Sequence, residues 1–171
     1  MSWSDKGPGR RAVLALLAPA VLGACGFTPL YGEGAPAAKM AGRVEVAQLY
    51  GAPGFALREE LTGRLGPAVN PTHRLEVDLK LTRTGVALTK QNVTTRYDVI
   101  GTATYRLVPR AGGPAVAAGE VRAITGYSVP SSKIASAFAQ RAAEQDAEHR
   151  LAIDLADRIL QRLALSAGSW T

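Results

Sequence analysis

The only cysteine of the chain, Cys25, is the residue with the most direct chemistry. A thiol can be buried as a small apolar group, can react as a nucleophile, or can carry a lipid through a thioether bond. A reactive thiol needs a histidine or a cationic helix end beside it, and the sequence places neither near Cys25. One cysteine cannot form an internal disulfide, so cysteine usage neither requires nor excludes an oxidising compartment. The residues that precede Cys25 therefore decide which role it has.

Other residues capable of enzymatic chemistry are few. His73 and His149 lie far apart, and neither has a second metal ligand at the i, i+4 spacing of a helical site. The segment 126–130, GYSVP, lacks the second glycine of the G-x-S-x-G nucleophile elbow, and no glycine-rich phosphate loop is present. Glu59 and Glu60 are neighbours on a predicted helix and point in different directions. The sequence therefore predicts no enzyme and gives no support for a metal ion or other cofactor.

Basic residues give the stronger indication of function, because several fall on one face of the predicted strands, opposite the apolar positions. Guanidinium groups suit phosphate oxygens through paired hydrogen bonds, and an ammonium group acts as a point charge. Acidic residues share the face, so an ordinary mixed-charge surface remains the alternative. Among them, Asp98 is expected to pair across strands with Arg122. The basic residues are Arg74, Lys80, Arg96, Arg106 and Arg122, and the acidic ones are Glu76, Asp78, Asp98 and Glu120.

The net charge of the chain is +6, of which Lys6, Arg10, Arg11 and Asp5 contribute +2. Without that leader, 6 − 2 leaves +4. A moderate positive charge suits an acidic partner, whether nucleic acid, anionic lipid or a phosphorylated glycan. Few aromatic residues interleave with the basic ones, as stacking on single-stranded nucleic acid would require, so we expect no nucleic-acid partner.

Residues 1–24 have the organisation of an export signal. A polar segment ends at Arg10-Arg11 and is followed by an uncharged run of 13 residues, 12–24, that contains Pro19. A membrane-spanning helix needs about 20 apolar residues, so this run is too short to span. The sequence Leu22-Gly23-Ala24-Cys25 resembles the bacterial lipobox, in which the cysteine is acylated and becomes the first residue of the mature protein. We therefore predict a lipid on Cys25 that anchors the mature protein to a membrane. Glycine at position 26, where retention at the inner membrane would require aspartate, indicates the outer membrane, facing the periplasm.

The sequence predicts a lipidated N-terminus and tether over 25–42, a single α+β domain over 43–165 and a short tail over 166–171. Alternation of apolar and polar residues predicts strands, and apolar residues at helical spacing predict helices. The resulting order is β-α-β-β-β-α, a four-stranded, mostly antiparallel sheet with two helices packed on one face. The first two strands would be parallel if adjacent, because a helix connects them. Predicted elements are strands over 43–49, 73–82, 95–108 and 117–129, helices over 55–65 and 133–165, turns over 51–54 and 109–114, and a connection over 85–92.

The last predicted helix has an approximate apolar stripe, and its alanine-rich first half should be the more hydrated part. The stripe is Phe138, Ala142, Leu151, Leu155, Ile159 and Leu163.

Several short segments, in the order described, resemble the LptE family of LPS-assembly lipoproteins, and the resemblance covers nearly the whole chain. They are Cys25 to Gly32 (CGFTPLYG), Arg96-Tyr97, Tyr105-Arg106-Leu107, Tyr127-Ser128 and 142–147 (AAEQDA).

That resemblance implies a noncatalytic lipoprotein that sits as a plug inside the large outer-membrane barrel LptD, supports its assembly and aids the passage of lipopolysaccharide to the cell surface. The nearest matches to the family's lipopolysaccharide-contacting positions are Lys90 and Arg141, and the face described above adds Arg96, Arg106 and Arg122 as candidates. The alternative is a periplasm-facing binding module or envelope adaptor unrelated to lipopolysaccharide export, which would share only the signal and a small α+β fold.

Overall fold

The computed structural model describes residues 39–88, 94–129 and 136–170. Its elements follow the predicted order β-α-β-β-β-α, so the α+β fold is confirmed. They are β1 (Val44–Val46), α1 (Ala52–Leu65), β2 (His73–Leu88), β3 (Thr94–Pro109), β4 (Ala117–Ser128), α2 (Ser136–Ser166) and a final 3-10 turn (Ala167–Ser169).

The sheet has the strand order β1-β2-β3-β4. Strand β1 runs parallel to β2, as expected for strands joined through a helix, and the other two pairings are antiparallel. Strand β1 supplies only three residues, so its register with β2 runs from Val44 opposite His73 to Val46 opposite Leu75.

The connection predicted over 85–92 is wrong in its first part, because β2 continues through Gly85 to Leu88. Strand β2 stays paired with β3 in this segment, and the register shifts on either side of Ala87. Gly85 permits this close pairing, since a Cβ at that position would lie 2.8 Å from Cγ2 of Thr94. Lys90 lies outside the described residues.

The turn predicted over 51–54 is also wrong, because Ala52 to Gly54 form the first turn of α1. Pro53 suits this position, since a first-turn residue has no intrahelical partner for its N–H and proline already has a helical φ. Gly51 precedes the helix with φ of 77°, which favours glycine. The helix ends before Gly66, as the Gly66-Pro67 pair predicts.

Both helices pack on the same face of the sheet and form one core with it. Helix α1 buries Leu57, Leu61 and Leu65 at a spacing of four residues. Helix α2 crosses β3 at Gly101, where an added Cβ would lie 2.8 Å from Leu151 Cδ2 and 2.9 Å from Leu155 Cδ1. A glycine in mid-strand thus sets the close approach of the helix to the sheet.

Burial along α2 is uneven. Its fully buried positions begin at Ala147 and continue to Ala164, which confirms the expectation of a more hydrated first half. The predicted stripe is wrong at Phe138, which is 90% exposed, and at Ala142, which is exposed too. The apolar face of the helix shifts along its length, so positions aligned with the second half do not face the sheet in the first half. Among the described helices, none combines the length and apolar character needed to cross a membrane.

Candidate functional site

One face of the sheet carries no helix, and we call it the open face. It is formed by the even-numbered positions of β2, β3 and β4, whereas the odd-numbered positions face the core, as the sequence alternation predicts. Leu75, Ala103 and Leu107 are buried on the core side. The basic side chains of the open face are all exposed, and they are Arg74, Lys80, Arg96, Arg106 and Arg122.

The basic residues of the open face are spread over its length and do not form one cluster. In the strand register, Arg106 lies opposite Glu76 near one end of β3, and Arg96 lies opposite Ser128 near the other. The ten residue steps from Arg96 to Arg106 correspond to ~33 Å along the strand. Arg122 lies between them, opposite Thr102. A single small ligand cannot contact all three arginines, whereas an extended or large partner can.

The arginines of this face are free of intramolecular ion pairs in the described parts of the chain. Lys80 has Asp78 at 3.8 Å on its own strand. Arg74, Arg96, Arg106 and Arg122 have no described carboxylate within ion-pair distance, although acidic residues share their face. Their guanidinium groups are therefore available to an external anion.

The expected pair between Asp98 and Arg122 is wrong. Asp98 lies opposite Gly126 on β4, and Arg122 lies four positions further along, opposite Thr102. The Asp98 side chain leans over Gly126, because a Cβ there would be 3.0 Å from Oδ1 of Asp98. Alternation fixes the face on which each residue lies, but only the strand register fixes its partner.

Arg141 is exposed on α2, and α2 packs on the core side of the sheet. It therefore lies on the opposite side of the sheet from Arg96, Arg106 and Arg122. Phe138, three residues earlier, is exposed as well. The remaining candidates, Lys90 and Cys25, lie outside the described residues.

A second basic region, which the sequence reasoning missed, lies between β4 and the second half of α2. Arg122, Arg158 and Arg162 line a cleft of about 190 Å³ there, together with Glu120. Arg158 is held by Asp154 at 3.1 Å, whereas Arg162 has no carboxylate partner among the described residues. The signal that could have found this region is the i, i+4 spacing of Arg158 and Arg162 on α2.

The titratable groups that depart from ordinary behaviour are structural ones. Burial lowers the pKa of His73, whose ring packs edge-on against Trp170 with ring centroids 5.2 Å apart. Burial raises the pKa of Tyr105, and Arg162 partly opposes this. Burial likewise raises the pKa of Tyr127, whose ring stacks on that of Tyr97 with centroids 5.3 Å apart. Both tyrosines are thus neutral at pH 7.

Glu59 and Glu60, the adjacent carboxylates of α1, have different surroundings. Glu60 pairs with Arg64 at 3.6 Å on α1, and Glu59 is exposed. Over the described ranges, no group of three or more His, Cys, Asp or Glu side chains is placed to hold a metal ion.

Comparison with protein families gives one match, to the family model described as "LptE: Lipopolysaccharide-assembly", over residues 44–163. No curated protein sequence matches the chain.

Solved structures share the fold at low sequence identity. A putative lipoprotein from Caulobacter crescentus superposes with a TM-score of 0.60 at 20% identity, covering 80% of this chain and 98% of that one. The rare lipoprotein B from Shewanella oneidensis gives a TM-score of 0.53 at 19% identity. That match covers 72% of this chain and 93% of the Shewanella chain. A minor lipoprotein from Acinetobacter baumannii gives 0.51 at 17% identity, with coverage of 72% and 89%.

Proposed function

Because the chain belongs to the LptE family, we propose that it is a noncatalytic outer-membrane lipoprotein that plugs an LptD-type β-barrel, assists assembly of that barrel and helps deliver lipopolysaccharide to the cell surface. The family match carries this proposal, and the family is one of non-enzymatic lipoproteins. The matched residues, 44–163, begin at the first residue of β1 and end within one turn of the end of α2. The match therefore includes the whole sheet and both helices.

The open face supports the location inside a barrel. The lumen of an outer-membrane barrel is lined by polar side chains and water. A sheet face that presents charged and hydroxyl side chains, such as Arg106, Thr104 and Glu120, loses little hydration in such a lumen. The apolar face of the same sheet is already covered by α1 and α2.

The leader supports attachment to the membrane. A lipid on Cys25 would hold the protein at the membrane surface, and residues 26–42 would connect that anchor to the domain. Each buried CH₂ group of the acyl chains contributes ~0.8 kcal/mol, so several chains make the attachment stable. The proposed location is thus the outer membrane, with the domain on its periplasmic side or in the barrel lumen.

Lipopolysaccharide supplies the acidic partner that the basic residues require, since its lipid portion carries phosphate groups. The family resemblance favours Lys90 and Arg141 as contacts, and the open face adds Arg96, Arg106 and Arg122. Arg141 lies across the sheet from the last three, so one lipopolysaccharide molecule would contact one group or the other.

Affinity purification of the tagged full-length protein from membranes in mild detergent tests the proposed function. A large β-barrel protein should be recovered in about equal amount. The matched control is residues 1–42 fused to an unrelated soluble domain, which should recover no barrel because the anchor alone does not form the plug. Absence of a barrel from the wild-type preparation would contradict the proposal and favour a periplasmic binding module or adaptor.

A further inference from the structure

Among the strands that the structure describes, none pairs with the outer edge of β4. The sheet ends at β4, which spans twelve residues and pairs with β3 without a bulge. It contains no proline. Proteins usually protect such an edge with a bulge, a proline, a very short strand or a covering element, because its free backbone groups pair with other strands.

Backbone hydrogen bonds show which residues face outward from this edge. The N–H of Val129 donates to the carbonyl of Thr95 at 2.9 Å, so odd-numbered positions of β4 point their backbone groups toward β3. Even-numbered positions therefore point outward. The carbonyl of Gly126 confirms this, because it accepts a hydrogen bond at 3.3 Å from Nη2 of Arg150 on α2.

Arg150 thus covers the edge near the C-terminal end of β4, and no hydrogen bond from another described element reaches the outward backbone groups of the segment from Ala118 to Ile124. Its outward-facing residues, Ala118, Glu120, Arg122 and Ile124, are all exposed. Each of these four presents one N–H and one carbonyl group to the outside. Seven residues of strand correspond to about 20 Å, which is enough to pair with one strand of ordinary length.

Charge on both sides of this edge selects the partner. Arg122 projects on the open face and Arg162 projects from α2 on the helix side, and neither has a carboxylate partner among the described residues. An added strand directs successive side chains to opposite faces, so acidic residues of either parity would meet an arginine. An antiparallel pairing of two such edges could set Glu120 opposite Arg122 of the second copy on the open face, but on the helix side it would bring a second Arg162 toward the first, so a second copy is the less complementary occupant.

We infer that the edge from Ala118 to Ile124 binds an extended acidic segment of the barrel partner, which adds to the sheet as a fifth strand. Main-chain hydrogen bonds hold the segment, and Arg122 and Arg162 select its acidic side chains. This inference rests on the proposed function, because it takes the barrel as the source of the segment.

Proline substitution tests the backbone contribution. Glu120→Pro removes an outward N–H, and proline is tolerated on an edge strand where that N–H faces solvent. The control Glu120→Ala keeps the N–H and removes a negative charge, so it should bind an acidic strand at least as well as wild type. We expect Glu120→Pro to lower the recovered barrel about tenfold in the full-length membrane-anchored protein, with Glu120→Ala unchanged or higher.

Charge reversal provides a second test that does not depend on how proline affects folding. Arg122→Glu combined with Arg162→Glu should lower barrel recovery about fivefold or more, whereas Arg43→Glu, an exposed position beside β1, should not. Circular dichroism and urea unfolding of each variant show that it is folded.

A photo-crosslinking residue at Ile124 identifies the occupant. A crosslink to an acidic segment of the barrel supports the inference. A crosslink to lipopolysaccharide alone would overturn it. Normal barrel recovery by both Glu120→Pro and the double arginine variant would overturn the strand addition and leave the proposed function standing. Recovery of no barrel by wild type would overturn both.

Discussion

At the scale of single residues, the basic side chains differ in whether they already have a partner. Arg64, Arg83 and Arg110 reach carboxylates on other elements, Asp157, Glu144 and Glu45 respectively. These pairs tie elements of the fold together. The arginines of the open face, and Arg141, have no described carboxylate within ion-pair distance, so their charge is available for recognition.

Charge reversal at the two positions that the family resemblance favours should weaken lipopolysaccharide binding. Lys90→Glu and Arg141→Glu each replace an attractive contact of ~0.2–1 kcal/mol with a repulsion of similar size, so we expect a total loss of ~0.4–2 kcal/mol, or about two- to thirtyfold, for each. Titration of lipopolysaccharide into the purified full-length protein at fixed ionic strength measures this. Barrel recovery should be unchanged.

Arg43→Glu is the matched control, because it makes the same charge change at an exposed position outside both candidate groups. Unchanged lipopolysaccharide binding by both single variants and by the double variant would remove Lys90 and Arg141 from the site. The arginines of the open face would then be the remaining candidates.

At the scale of elements, the two halves of α2 have different roles. The second half supplies a row of buried residues over β3 and β4, whereas the first half begins with an exposed aromatic residue, Phe138. Arg83 on β2 holds the first half through its ion pair with Glu144. Packing therefore fixes the second half, whereas in the first half the ion pair adds to the packing of Ala143 and Ala147.

This difference predicts unequal effects of alanine substitution along one helix. Leu155→Ala removes a fully buried side chain above Gly101 and should lower the free energy of unfolding by about 2–5 kcal/mol. Phe138→Ala changes a residue that is 90% exposed, so the effect should be within about 0.5 kcal/mol. Urea unfolding followed by circular dichroism measures both. A loss of several kcal/mol in Phe138→Ala would mean that the start of α2 packs in solution.

Element types and order could be predicted because the patterns are strong where one face is buried. Leu75 to Leu81 alternates with charged residues, and Leu57, Leu61 and Leu65 repeat at helical spacing. The errors fall where a glycine has a tertiary role. Gly85 continues a strand, and Gly54 lies inside a helix where an added Cβ would be 3.2 Å from Cβ of Leu49, although both residues favour turns in isolation.

The candidate site could be predicted only in part for a related reason. Alternation gives the face of Arg96, Arg106 and Arg122, but the distance between them follows from strand register. The position of Arg122 across a cleft from Arg158 and Arg162 depends on where α2 crosses the sheet, and no local sequence pattern encodes that crossing.

At the scale of the whole molecule, each segment has its own proposed role: the leader directs export, the tether links the lipid to the domain, and the domain plugs the barrel. In the proposed arrangement the lipid on Cys25 provides the anchor, whereas the described core begins at Met40. One variant, Cys25→Ala, should therefore remove the anchor and leave the fold intact.

Cys25→Ala should abolish incorporation of a labelled fatty acid, because it removes the only thiol of the chain. The domain should stay folded, since the described core residues begin at Met40, well after Cys25 in the chain. Metabolic labelling followed by membrane fractionation measures the loss of the lipid and of membrane attachment. Label that persists in Cys25→Ala would show that the lipid is elsewhere or absent from this position.

Gly101 connects the core of the molecule to its proposed recognition edge. The height of α2 above β3 is set by the missing methyl group at this position, because Leu151 and Leu155 occupy the space that a Cβ would fill. Arg158 and Arg162 lie on the next two turns of the same helix. A larger residue at position 101 would raise that helix and widen the gap between Arg162 and the edge of β4. A wholly buried glycine therefore acts as a spacer that sets the width of a surface groove, so a change that never meets the partner can still alter its fit.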